Sequence, residues 1–500
     1  MPRISTRKGG VSATKKGKRV ILKKRPKKIS LKSARRQHRL KATPAVIQEI
    51  PMTQAMVDRL FWRAGFGPTA EARSAFTGKK SAEAVDWLLD SPQGALQGPA
   101  PTNGVNALDI FGERGNDDLV TEWIDRMVRS PNPLPERMRL FWHGHWANSR
   151  EDVSPAQLMK KQNDVLGKYS DLAANPNADF ATMSYEMATD PAMLRYLTGE
   201  TNVRGRPNEN YAREIMELFV LGVVDGNGKP NYTEQDVKEL AKAFSGWRIR
   251  NDSTDNGANA MLAEGYFTPS RWDAGVKTLS WGKSGAFKDR EATEAVLAHP
   301  NQPFYVTRKL WDYFVPTAPT ADVHAQLVKT YVSSGFKIKP VVRQILLSAE
   351  LYASIDEPTM IKPPAVYVAG ALRATKAAII DTDPVNSMMR MGQRPYYPPT
   401  VAGWEGGISW LNTNTVLERY GFIGRVVGKM PDLTDQPTET PQAAFDRAFG
   451  ATASPWVSAA SKANLLDLAN RAPARTAAQR KNRQVVLRTL LLAGPDAQVM

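Results

Sequence analysis

Residues 206–222 read RPNENYAREIMELFVLG, and the two halves of this stretch follow different rules. Asn208, Glu209 and Asn210 open it, Arg213, Glu214 and Glu217 follow, and beyond Glu217 it is wholly apolar. With Asn208 as N-cap, its side chain accepting from a free N–H of the first turn, a helix begins at Glu209. Steps of about 100° then place Tyr211, Ile215, Leu218, Phe219 and Gly222 on one face. Glu209, Asn210, Arg213, Glu214 and Glu217 form a polar stripe on the other, yet Val220 and Leu221 continue that stripe in apolar form. A solvated face does not normally turn apolar while still helical, so the spacing predicts a helix buried on both sides. Its charges then need partners inside the fold. Glu209 can reach Arg213 at four-residue spacing. Glu214 and Glu217 are left over and call for a distant arginine, a shared proton or a metal.

Outward from this stretch the pattern stays helical. Apolar residues recur at three and four spacing in AEAVDWLLD, LVTEWIDRMVR, PERMRLFWHGHW, QDVKELAKAFSGW, PFYVTRKLWDYFV and PVVRQILLSAELY. Asp190 before Pro191 reads as an N-cap with proline at the first helical position, and Thr233 with Asp236 as a capping box. These signals predict a mainly α, multi-helix globular protein, with the main helical domain over 53–429. Two stretches break the pattern. Residues 247–285 are rich in Gly, Asn, Asp and aromatics and read as an irregular or β-hairpin insertion. Residues 390–410 carry paired prolines and several glycines and read as a loop. A Pro- and Thr-rich linker over 430–440 then leads to C-terminal helices over 441–494.

The chain has 500 residues, no cysteine, and 67 Lys and Arg against 50 Asp and Glu. Seventeen of those cations lie in the first 48 residues, where no Asp or Glu occurs, so the remaining 50 balance the 50 acids. The basicity therefore belongs to a tail, expected to be disordered because it repels itself and buries little. Lys15, Lys16, Lys18, Arg19, Lys23, Lys24, Arg25, Lys27, Lys28, Arg35 and Arg36 are its candidate contacts to nucleic acid or another polyanion. Met52 opens the globular pattern and offers an alternative translation start. The lack of cysteine excludes disulfides and thiolate chemistry. No apolar run approaches the roughly 20 residues of a transmembrane helix, and no signal-peptide core follows the basic start. The chain reads as cytoplasmic, with a protein partner expected but not identified by any motif.

Signatures of serine hydrolases, zinc proteases, P-loop enzymes and EF-hands are all missing. His143 and His145 flank Gly144 in FWHGHW. If the helix ends at this glycine, an extended HxH points both rings the same way and lets them share a divalent metal; otherwise each ring hydrogen-bonds within an aromatic helix end. Glu214 is the carboxylate candidate for such a metal site. Glu214, Glu217 and Arg213 are the catalytic candidates of the helix, and Asp273 and Lys277 those of the insertion, where Asp before Ala-Gly is also ordinary turn grammar.

Seven motifs occur in order: RAGFG, ERMRLFWHGHWA, TDPAMLRYL, RPNENYAREIMELFVLG, NYTEQDVKELAKAFSGW, the DxGxK of Asp273 to Lys277, and MGQRPYYPPTVAGWEGG. Together they resemble a large bacterial family catalogued as domain of unknown function number eighteen hundred, from about Leu60 to Phe422. The resemblance implies no activity. It singles out His143, His145, Asp190, Asn208, Glu209, Asn210, Arg213, Glu214, Glu217, Gln393 and Trp404 as motif positions. Two positions depart from the family pattern: Trp272 stands where a histidine is usual, and Thr400 where an asparagine is common. Two functional classes follow. One is a non-catalytic binding or assembly protein with a buried His/Glu/Arg network; the other is a metal-assisted hydrolase using the HGH segment and the NENYARE helix.

Overall fold

The computed structural model describes residues 50–104, 108–110, 115–250, 263–431 and 433–500. The eleven candidate polyanion contacts of the tail lie outside the described residues, as does the middle of the insertion.

Helices make up most of what is described. The chain enters through α1 (Gln54–Arg63), α2 (Ala70–Phe76) and α3 (Ser81–Asp90). Thr53 and Thr69 cap the first two, their hydroxyls accepting from Met56 and Ala72 N–H. Then come α4 (Gly115–Arg129), α5 (Leu134–His145), α6 (Ala156–Ser170), α7 (Phe180–Ala188) and α8 (Pro191–Tyr196). As its sequence predicts, α8 starts at an Asp190 cap that accepts from the N–H groups of Ala192 and Met193. The NENYARE segment forms α9 (Glu209–Glu214), which runs straight into a π-helical turn, Ile215–Val220. In α10 (Glu234–Ala243) the capping box forms: Asp236 accepts from Thr233 N–H, and the Thr233 hydroxyl accepts from Asp236 N–H.

The irregular stretch contains two small antiparallel hairpins. β1 (Trp247–Arg250) pairs with β2 (Glu264–Phe267), setting Trp247 opposite Phe267, and β3 (Lys277–Leu279) pairs with β4 (Lys283–Gly285). The second hairpin is pinned to α10 because Asp236 also accepts from Ser280. Helices resume with α11 (Asp289–Leu297), α12 (Gln302–Phe314), α13 (Ala321–Ser333) and α14 (Ile338–Leu346). After them come α15 (Pro364–Thr375), α16 (Asp383–Arg390) and α17 (Thr413–Gly428). The last three are α18 (Pro441–Ala451), α19 (Ala459–Arg471) and α20 (Ala477–Ala493). None of the described helices is long and apolar enough to cross a membrane.

Two large apolar clusters and one small one hold these helices together. The first gathers Leu60, Trp142, Trp146, Phe180, Phe219 and Trp311, and the second Trp123, Leu140, Tyr396 and Phe422. Helix α5 supplies residues to both, so it forms the seam between them. Each large side chain fully withdrawn there contributes on the order of 2–3 kcal/mol from apolar burial. The small cluster joins α18, α19 and α20 through Phe445, Leu465 and Leu487. The 430–440 segment is tied to these helices by ion pairs, Asp435 to Arg480 and Glu439 to both Arg447 and Arg483.

Candidate functional site

The HGH segment, the end of the NENYARE helix and the 390–410 loop do converge, and α5 is the element they share. Contrary to the extended reading, α5 continues through Gly144 to His145. A helix sets residues two apart about 200° from each other, so the two rings face opposite cores.

His143 looks toward the second cluster. Its ring meets Trp123 edge-on at 5.1 Å, Tyr396 at 5.5 Å and Trp404 at 5.5 Å. The Tyr396 N–H donates to His143 Nε2 at 2.9 Å. A backbone N–H can only donate, so Nε2 carries a lone pair and the neutral ring keeps its proton on Nδ1. Burial pushes the imidazole pKa down to about 3. Tyr396 holds a left-handed backbone, φ 69°. Its loop is anchored by Gln393, whose side-chain oxygen accepts from Ala365 N–H at the start of α15. Gly403 closes the loop over the helix. Its φ is +85°, and a Cβ there would stand 2.5 Å from the Gly144 carbonyl oxygen, so only glycine fits.

His145 looks toward the first cluster and sits among Phe141, Trp142, Trp146, Phe180 and Phe219. Its Nε2 lies 2.7 Å from the Phe219 carbonyl oxygen. A carbonyl only accepts, so here Nε2 carries the proton and Nδ1 the lone pair. Nδ1 is buried without a hydrogen-bond partner. Burial first, then the nearby Lys309 cation, holds this ring neutral well below ordinary histidine pH.

The π-helical turn explains why His145 has a carbonyl to meet. The Leu221 and Gly222 N–H groups both donate to Met216 O, at 3.0 and 2.9 Å. The carbonyls of Leu218 and Phe219 are therefore left without helical donors, as at any helix end. Neighbouring side chains take them: Tyr305 Oη at 2.6 Å and Lys309 Nζ at 3.2 Å donate to Leu218 O, and His145 to Phe219 O. Asn231 Nδ2 donates to Gly222 O. Burial pushes Lys309 down to about 8.

The polar stripe resolves differently from its expectation. Arg213 does not pair with Glu209; it makes a two-pronged bridge to Glu234 at 2.8 and 2.7 Å, on the surface at the start of α10. Glu217 accepts from Tyr232 Oη at 2.8 Å. Glu214 is half-buried, its carboxyl raised by burial and then by the neighbouring Glu217, with Arg213 opposing. The set His143, His145 and Glu214 does not assemble, because the rings diverge and both Nε2 atoms face backbone groups. No cluster of three or more His, Asp or Glu side chains arranged to hold a metal ion occurs among the described residues.

In the insertion, Asp273 forms the turn its sequence also allows, its side-chain oxygen accepting from Gly275 N–H at 2.9 Å. Lys277 is buried; its Nζ donates to the carbonyls of Asp273 and Phe287 and lies 4.6 Å from the centre of the Trp272 ring. Trp272, the departure from the family pattern, thus serves as a face for the Lys277 cation. Lys277 braces the loop from within.

The sequence reading missed a network beside the hub. Glu136 of α5 is fully buried, accepts from Gln93 and from Trp123 Nε1, and lies 3.3 Å from Arg126 and 3.6 Å from Arg139. Its helical neighbour Arg137 is fully buried too, with Tyr313 4.8 Å below it and no hydrogen-bond partner for its guanidinium nitrogens. The alternation of charge in PERMRL was the available signal.

The chain matches the family described as protein of unknown function (DUF1800) over residues 59–499, and it belongs to that family. No curated protein and no solved structure matches it.

Proposed function

We propose that this protein is a non-catalytic binding or assembly protein in which the HGH segment is the structural hub joining two cores. The supporting observation is the opposite engagement of the two rings: His143 accepts from the Tyr396 N–H, and His145 donates to the Phe219 carbonyl. The alternative is a metal-assisted hydrolase with His143 and His145 as ligands, Glu214 or Glu217 as ligand or base, and Arg213 as an anion holder. It has less support, because the one lone pair left over on these two rings, on His145 Nδ1, is buried among aromatic rings. Nitrogen-15 NMR of the imidazoles tests the choice. The expected spectrum has His143 protonated on Nδ1 and His145 on Nε2, unchanged by excess zinc; a zinc-dependent loss of either proton would sink the structural reading. We further infer that the basic segment 1–48 adds affinity for polyanions, because it holds 17 Lys and Arg without an acid. Removing it should abolish a salt-sensitive affinity for DNA, and unchanged affinity would end the idea.

A further inference from the structure

A cavity of about 280 Å³ opens between α1, the 354–362 segment, α15 and the C-terminal helices. It lies away from the HGH hub. Its walls are largely aromatic and apolar, with Trp62, Phe66, Tyr367, Phe449 and Trp456 among them. Trp62 is a fixed wall. Its indole lies across two glycines, and a Cβ on Gly370 would stand 2.6 Å from the ring. Sites for small molecules have this build: concave, mostly apolar, with a few placed polar groups.

The placed group is Lys362. It lines the cavity and is 6% exposed. Its Nζ donates to Ala497 O at 2.8 Å and sits 3.8 Å from the centre of the Trp62 ring. Directly beneath it is a second buried cation, Arg419, which donates to Gln498 Oε1 and to the Lys362 carbonyl and lies over Tyr367. Neither cation makes an ion pair with a carboxylate among the described residues. Arg73, also at the cavity, is by contrast fully matched by Asp58 at 2.6 Å. Two adjacent buried positive charges with only neutral partners repel each other and pay the desolvation of both. Burial and then Arg419 accordingly push Lys362 down to about 7. An anion entering the cavity would relieve both effects at once.

We propose that this cavity binds a small amphiphilic carboxylate, its aromatic or aliphatic body against Trp62, Phe449 and Trp456 and its headgroup on Lys362. This rests on the binding reading above and names its ligand class. The carboxylate completes the ion pair that the protein leaves open, and the apolar walls exclude the water that would screen it.

The test is calorimetric titration of the full chain with 3-phenylpropionate and octanoate, and with the uncharged 3-phenylpropionamide. The acids should bind saturably and the amide about tenfold or more weaker, and Lys362→Met, folded by circular dichroism, should lose the preference. A second readout uses only the wild-type chain. At about pH 8, binding of the acid should take up a fraction of a proton, seen as a dependence on buffer ionisation heat, and binding of the amide should take up none. The charged and titratable groups that line the cavity with Lys362 are Arg59, Tyr367, Asp496, the Asp58–Arg73 pair and the carboxyl group of Met500, which accepts from Arg63. Arg419 lies behind the Lys362 carbonyl, so Lys362 is the one amine among them. Equal binding of acid and amide, acid binding without proton uptake, an unchanged Lys362→Met variant, or no saturable binding by either acid would each overturn the proposal. None of these outcomes bears on the histidine tautomers, so failure here and failure of the hub reading are distinguishable.

Discussion

The HGH hub and the Lys362 cavity both bury ionisable side chains, and they handle the problem in opposite ways. At the hub, His143 and His145 are neutral, and each has one ring nitrogen matched to a backbone group of complementary sense. At the cavity, Lys362 and Arg419 bond to carbonyls and an amide and lie over aromatic rings, and neither makes an ion pair with a carboxylate among the described residues. A buried group that is neutral and hydrogen-bonded fixes a packing arrangement at little penalty. A buried cation without an anion is a standing electrostatic deficit that a ligand can fill. The contrast teaches that the eye-catching motif and the open binding capacity lie in different places.

The comparison can be broken first at the hub. His145→Ala should destabilise the protein by about 3–5 kcal/mol in urea unfolding, because it hollows an aromatic core and leaves the Phe219 carbonyl without a donor. A folded variant within about 1 kcal/mol of wild type would mean that the ring does not join the cores. The cavity side predicts a smaller effect in a defined pH window. Lys362 has a folded pKa of about 7, below its ordinary 10.5. Between those values the unfolded chain binds more protons than the folded one, so stability rises with pH. It should gain about 2 kcal/mol from pH 7 to 9, relative to Lys362→Met, which lacks the group. The histidines work in a separate window. Their folded pKa values are depressed below 6.5, so their contribution is present above that pH and is lost as pH falls from 6.5 toward about 3 for His143. A difference between wild type and Lys362→Met that stays flat from pH 7 to 9 would show that the lysine finds its counter-charge in the free protein.

Much of this was legible in the chain. Capping at Asn208, Asp190 and Thr233 follows from side chains that accept from the free N–H groups of a first turn, and those caps form. Val220 and Leu221 are buried as their place in the 206–222 stretch predicts, but the polar stripe before them is not buried in turn: Asn210 is exposed, and Arg213 meets its partner Glu234 on the surface. The partners were not legible, for a local reason. The π-helical turn inserts a change of phase after Glu214, so a constant 100° step misplaces what comes after it. Arg213 meets Glu234 across a helix boundary that spacing within one helix cannot reveal. Gly144 looked like a helix end because glycine commonly is one; here Gly403 comes down against its carbonyl from a distant loop. Lys362 carried no signal at all. It is one lysine before two prolines, and its burial depends on residues near 419 and 497.

The Tyr396 amide that bonds to His143 reaches across 253 positions of the chain. Contacts of such sequence separation close the largest loops and form late in folding. The 390–410 loop is held locally as well, by Gln393 on the Ala365 N–H at the start of α15, so the bond to His143 is what ties that locally anchored loop to α5. Hydrogen exchange at that single amide should run at the rate of global opening, which makes it a reporter of how firmly the two cores are joined.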